Sequence, residues 1–153
     1  SGNILFLANS DTLDNHINKF NPTYLLIVLG SNDLFLPKPE IRKPHINKII
    51  EKIGKIPFIW ISAPNWQEDF GINDVIEYSV GRKRFFKSAE LQFERMPDGA
   101  HPTRSSAYMW MDSIAVFMMQ EAKDKIIMEF PDSSYRKTPN TTIINNIDIN
   151  DYL

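Results

Sequence analysis

Two short stretches of this chain hold residue types that acyl-transfer chemistry needs. Asp98-Gly99-Ala100-His101-Pro102-Thr103 places a carboxylate three residues before an imidazole, on a glycine-containing turn. Across such a turn the aspartate can accept the Nδ1–H of the histidine. That contact selects the tautomer and leaves Nε2 free to act as a base. Gly30-Ser31-Asn32-Asp33 directly follows an apolar run. The neutral Asn32 amide can donate to a developing oxyanion without adding charge, and Gly30 allows the sharp backbone turn that leads to it. Each stretch also has a plain structural reading. Gly, Ser, Asn and Asp are all turn formers, and Thr103 can cap a helix whatever His101 does. Of the three histidines, only His101 has an acid partner at a spacing that suits a tight turn. His16 and His45 fall in predicted helices and read as surface positions.

The elements that would position these residues alternate between short apolar runs and amphipathic helices. That pattern predicts an α/β layered domain with a mainly parallel sheet. Residues 4–8 are a predicted buried strand, followed by a short helix that starts at Ser10 or Asp11 and is ended by Asn21-Pro22. Residues 24–29 form an uninterrupted apolar run, as expected of a strand buried on both faces. Ile46, Ile49, Ile50 and Ile53 fall on one face of a helix that begins near Pro44 and stops at Gly54. Residues 56–61 are a third predicted strand, running into Ser62-Ala63-Pro64-Asn65-Trp66. A short helix over 72–80 and a short strand over 84–86 follow. Residues 105–123 are the strongest predicted helix, and 125–130 a further short strand. Residues 131–153 turn polar and read as a tail or extended arm beyond a domain spanning 1–130.

Taken together, the two stretches resemble the SGNH (GDSL-like) hydrolase superfamily. The likeness rests on a strand running into Gly-Ser-Asn-Asp and, far downstream, Asp-Gly-x-His-Pro before a long helix; it covers roughly residues 3 to 124. It implies a three-layer flavodoxin-like sandwich and a serine ester hydrolase. By resemblance, Asn32 is the oxyanion-hole donor, His101 the general base and Asp98 its orienting partner in a catalytic dyad. Gly30 shapes the oxyanion turn, and Asn65 and Trp66 lie where the family keeps a variable substrate loop.

The chain departs from the family at its start. The family opens with a strand and Gly-Asp-Ser, whose serine is the nucleophile, and no Gly-Asp-Ser occurs in this chain. Only one predicted strand and one helix precede the run at 24–29, which points to truncation at the N-terminus. Three places for the nucleophile stay open. An upstream segment ranks first, Ser10 after the 4–8 run second, and Ser133 a distant third.

Composition narrows the field further. The chain has 153 residues, the size of one domain, and a formal charge of −2, which gives no basic surface for nucleic acid. It contains no cysteine, which excludes disulfides and thiolate chemistry. No apolar run approaches the roughly 20 residues that span a bilayer. Ser1-Gly2-Asn3 lacks the features of a signal peptide, so both a periplasmic or secreted and a cytoplasmic setting remain open. No metal, nucleotide or other cofactor motif occurs. The leading expectation is an esterase acting on a small acyl ester, with carbohydrate O-acetyl groups as one candidate class, and an N-terminal fragment of the same precursor as a candidate partner. The alternative is a non-catalytic carbohydrate- or ligand-binding domain that keeps the fold. A metal-dependent phosphoesterase is disfavoured, because the histidines are too few and scattered for a two-metal site.

Overall fold

The computed structural model describes residues 2–129. Its order is α1 (Ile4–Asn9), α2 (Thr12–Phe20), β1 (Leu25–Val28), α3 (Lys43–Ile53), β2 (Phe58–Ile61), α4 (Ile72–Val80), β3 (Phe85–Phe86) and α5 (Arg104–Gln120). The strands form one parallel sheet in the order β1-β2-β3. Leu25 pairs with Phe58 and Val28 with Ile61, and Trp60 then pairs with Phe85. Parallel neighbours need crossover connections. Here α3 carries the chain from β1 to β2, and α4 carries it from β2 to β3.

The two faces of β2 feed two separate cores, because successive strand side chains point opposite ways. Phe58 and Trp60 join Ile27, Phe85 and the apolar residues of α1 to α4. Ile59 and Ile61 join Ile114 and Met118 of α5, with Ala122 just beyond it. Helical layers therefore lie on both faces, and β2 is buried throughout. The mixed α/β class and the parallel sheet expected from sequence are both present.

Five expectations need correction. Residues 4–8 form helix α1 rather than a strand. Asn3 caps it by accepting from Phe6 N–H at 2.8 Å, and the Ile4 N–H is taken up by Asp33 Oδ2 at 3.3 Å. Ile4 and Ala8, one helical turn apart, are both fully buried. A short apolar run does not distinguish a strand from a buried helix, and the distant Asp33 helps decide it here. Second, β1 is not buried on both faces. Leu26 and Val28, in register with Ile59 and Ile61, are 48% and 52% exposed. The apolar helix residues on that face belong to α5, which is in the same core as Ile59 and Ile61. Third, residues 125–129 form no strand. Ile126 donates to Met118 O at 3.2 Å, and Ile126 and Met128 pack beside the end of α5. Fourth, the short strand predicted over 84–86 is confined to Phe85–Phe86, since Arg84 closes a 3₁₀ turn. Fifth, the long helix runs over Arg104–Gln120 rather than to 123, its end marked by Glu121 and Ala122 both donating to Phe117 O. The segment read as a tail, 131–153, lies outside the described residues. Among the described residues, no helix is long and apolar enough to cross a membrane.

Candidate functional site

Loops leaving the carboxyl ends of β1 and β2, where open parallel sheets usually hold ligands, carry Asn32, Asn65 and Trp66. After β1 the chain turns at Gly30, whose φ is +127°. A Cβ there would meet Ile76 Cδ1 at 3.2 Å, so close packing and backbone conformation both favour glycine. Asp33 N–H donates to Gly30 O at 2.9 Å and closes a 3₁₀ turn over Ser31–Asp33. Asn32 stands exposed on this turn, and its Nδ2 donates to Gly2 O at 2.9 Å. An amide nitrogen carries two N–H donors, so one remains for a ligand while the other holds the start of the chain.

Asp33 points the other way, into the protein. Its Oδ1 accepts from Arg42 Nε at 2.7 Å, with side chains only 1% and 14% exposed. Its Oδ2 receives Ile4 N–H. One carboxylate thus joins the Asn32 turn to the start of α1 and to the loop before α3.

After β2, Ser62 is fully buried and continues the pairing with β3, donating its N–H to Phe86 O at 3.0 Å. Its Oγ accepts Ser88 N–H at 2.8 Å, while Ser88 Oγ accepts Trp110 Nε1–H at 2.8 Å. These contacts fix the root of the Asn65-Trp66 loop against α5. The Asn65 Oδ1 accepts from the buried Asn73 at 3.2 Å. Asp69 accepts from Gly71 and Ile72 N–H at 2.8 Å each, at the start of α4. Trp66 stacks edge-on against Phe35, with ring centroids 5.3 Å apart.

The histidine turn is a small hairpin seated on the start of α5. Arg95 and Pro102 form an antiparallel bridge, Met96 N–H donates to His101 O at 2.8 Å, and Thr103 N–H donates to Glu94 O at 2.8 Å. Thr103 caps α5 by accepting Ser106 N–H at 3.2 Å. Within the turn, Asp98 Oδ1 accepts the N–H groups of Ala100 and His101 at 2.9 and 3.0 Å. Its Oδ2 lies 2.7 Å from His101 Nδ1. The His101 backbone N–H above all, then its imidazole and the Ala100 N–H, hold the Asp98 carboxyl down at about 2. Hydrogen bonds to the ionised form have that effect. The two side chains are open to solvent, 79% for His101 and 50% for Asp98.

The sign of this shift gives a pH prediction. A carboxyl whose pKa is depressed on folding steadies its surroundings above its unfolded value near 3.8 and loses that contribution as pH falls through about 2. The turn is therefore expected to keep its hydrogen bonds at pH 4. A carbon-detected titration of the Asp98 carboxyl should have its midpoint near the lower value. A midpoint near 3.8 would mean that the turn does not hold in solution.

The site residues do not all converge. Asp98 and His101 touch. Asn65 is joined to their turn through Arg95, which donates from Nη2 to Asn65 O at 2.5 Å and from Nη1 to Ala100 O at 2.6 Å. Asn32 lies on the loop after the neighbouring strand. Ser10 lies elsewhere, at the end of α1. Its hydroxyl donates to Thr12 Oγ1 at 3.1 Å, and its carbonyl accepts from Lys52 Nζ, in the last turn of α3, at 2.7 Å. Among the described residues no serine hydroxyl hydrogen-bonds to His101, and no group of three His, Asp or Glu side chains could hold a metal ion. Asp33, Arg42 and Arg95 are not among the site residues expected from sequence. Asp33 sits inside the first motif, and that is the one signal available for it. Arg42 reaches back only to Asp33, whereas Arg95 reaches across to the Asn65 loop, 30 residues away in the chain. Comparison with family models, with curated proteins and with solved structures returned no match.

Proposed function

We propose that this chain carries the base and oxyanion side of an SGNH-type serine ester hydrolase, acting on a small acyl ester, with the attacking serine supplied by a segment upstream of Ser1. The single observation that carries the proposal is the 2.7 Å contact between Asp98 and His101 Nδ1, which leaves Nε2 open to solvent. In this mechanism Nε2 takes the proton of the serine as its oxygen attacks the acyl carbonyl. The free N–H of Asn32 then donates to the tetrahedral oxyanion. His101 returns the proton to the departing alcohol, and a water activated by the same nitrogen releases the acid. Trp66 and Phe35 offer an aromatic wall that suits a sugar ring, so O-acetylated carbohydrate is the substrate class put forward. Among the described residues β1 pairs with β2 on one side only, and Leu26 and Val28 leave one of its faces half exposed. An unpaired apolar strand edge is prone to pairing, which supports a further element of the same precursor seated there.

In a form that carries the nucleophile, Asn32→Ala is expected to lower turnover of an aryl acetate by roughly 10²–10³-fold, the usual loss for one oxyanion donor. Unchanged turnover would remove Asn32 from the mechanism. The chain by itself is expected to be a poor esterase and to resist a serine-directed fluorophosphonate. Fast turnover with label on Ser10 would overturn the upstream assignment.

A second reading, a non-catalytic carbohydrate-binding domain on the same frame, is favoured by one observation: no described serine reaches His101. The two separate experimentally. Labelling that appears once an upstream segment is restored supports the hydrolase. Saccharide binding with no labelling in any form supports the binding domain.

A further inference from the structure

Arg95 ties two loops that the sheet alone does not hold together. Its guanidinium lies half-buried between the Asn65-Trp66 loop and the Asp98–His101 turn. Nη2 takes Asn65 O at 2.5 Å, and Nη1 takes Ala100 O at 2.6 Å. Both acceptors are backbone carbonyls, so side-chain rotation cannot swing either out of reach. Each end of the bridge is braced independently. Asn65 is held through its side chain by Asn73, which is buried in the first turn of α4. The residue after Ala100 is His101, whose N–H and imidazole both bind Asp98. Movement of the turn away from the Asn65 loop must therefore break an arginine hydrogen bond.

We propose that Arg95 is a positioning residue that sets the place of the His101 imidazole relative to the Asn65-Trp66 loop. The inference rests on the reading of His101 as the base and of that loop as the substrate side. The need for a fork explains the residue type. A planar guanidinium presents two parallel-fixed donors that span two carbonyls at once, whereas an ammonium is a point donor on a flexible stem. The imidazole itself is exposed and has one partner in the described structure. Its direction is therefore set by the turn that carries it, and the turn is anchored to the substrate loop by Arg95.

The test compares the full chain with Arg95→Ala and Arg95→Lys. Three quantities are read: solvent exchange of the Ala100 and His101 amides, the pH titration of the Asp98 carboxyl, and Tm. In both variants exchange at the two amides is expected to rise about threefold to tenfold, the scale of one lost hydrogen bond. The Asp98 midpoint should climb from about 2 toward 3.8. The amides of β2 should not change. If Arg95→Lys retains the wild-type titration and exchange, charge rather than the fork is what matters, and the proposal is overturned. Unchanged exchange and titration in Arg95→Ala also overturn it. Should Arg95→Ala fail to fold, Arg95→Lys alone decides, because it keeps charge and bulk. The parent reading fails separately: if the turn loosens as expected but His101→Ala leaves hydrolysis intact in a nucleophile-bearing form, Arg95 still positions the turn while the base assignment falls.

Discussion

His101→Ala in a nucleophile-bearing form is expected to lower ester hydrolysis by about 10⁴-fold or more, the scale seen when the base of a serine triad is removed. The loss should be largest in the acylation step, where Nε2 has no substitute among the described residues. Because the ring is 79% exposed, the gap left by alanine opens to water, and added imidazole should restore part of the rate. Asp98→Asn is expected to cost far less. The Asp98–His101 pair sits in solvent, where an ion pair or charged hydrogen bond is screened and contributes little. The measurement is kcat/KM for an aryl acetate across the three proteins. A His101→Ala loss below tenfold would exclude it as the base. An Asp98→Asn loss equal to that of His101→Ala would mean that the carboxylate does more than orient an exposed ring.

The second large effect concerns stability. Asp33→Ala is expected to destabilise the fold by about 3 kcal/mol, the lower end for breaking a buried ion pair by removing one partner. Removing the carboxylate leaves the Arg42 guanidinium, at 14% exposure, without its acceptor at 2.7 Å. It also deprives the buried Ile4 N–H of its acceptor and so loosens the start of α1. For a domain of this size the change corresponds to a Tm lower by about 6–12 °C. Chemical denaturation of the two proteins, with a shared m-value, gives the difference. A loss under 1 kcal/mol would show that Arg42 relaxes into water and that the pair organises little. Asp33→Asn should fall between the two, because its amide keeps one acceptor but offers a donor where either Arg42 or Ile4 needs an oxygen.

Local chemistry was legible where the partners are neighbours in the chain. Asp98 and His101 are three residues apart on a turn, so their contact depends on little beyond that turn. The cap at Thr103 and the stop at Gly54 depend on a few consecutive residues in the same way. The parallel sheet was legible from uniformly apolar runs separated by helical periodicity. The fate of residues 4–8 was not. Their apolar pattern suits strand or helix, and the acceptor for the first helical N–H comes from Asp33, on the loop after the next strand.

What the sequence by itself determined is the class of elements, the Gly30 turn and the Asp98–His101 pair, because each depends on local backbone preference or short spacing. Tertiary structure decided which strand faces were covered. Leu26 and Val28 look as buried as Ile59 and Ile61 in the sequence, yet Ile59 and Ile61 alone share a core with α5. Tertiary structure also decided that Ser10 rests by the end of α3 and that Arg95 joins two loops. The Ser10–Lys52 and Arg95–Asn65 contacts join residues 42 and 30 positions apart. Such contacts arise when helices and hairpins pack, and no local pattern of residue types encodes them.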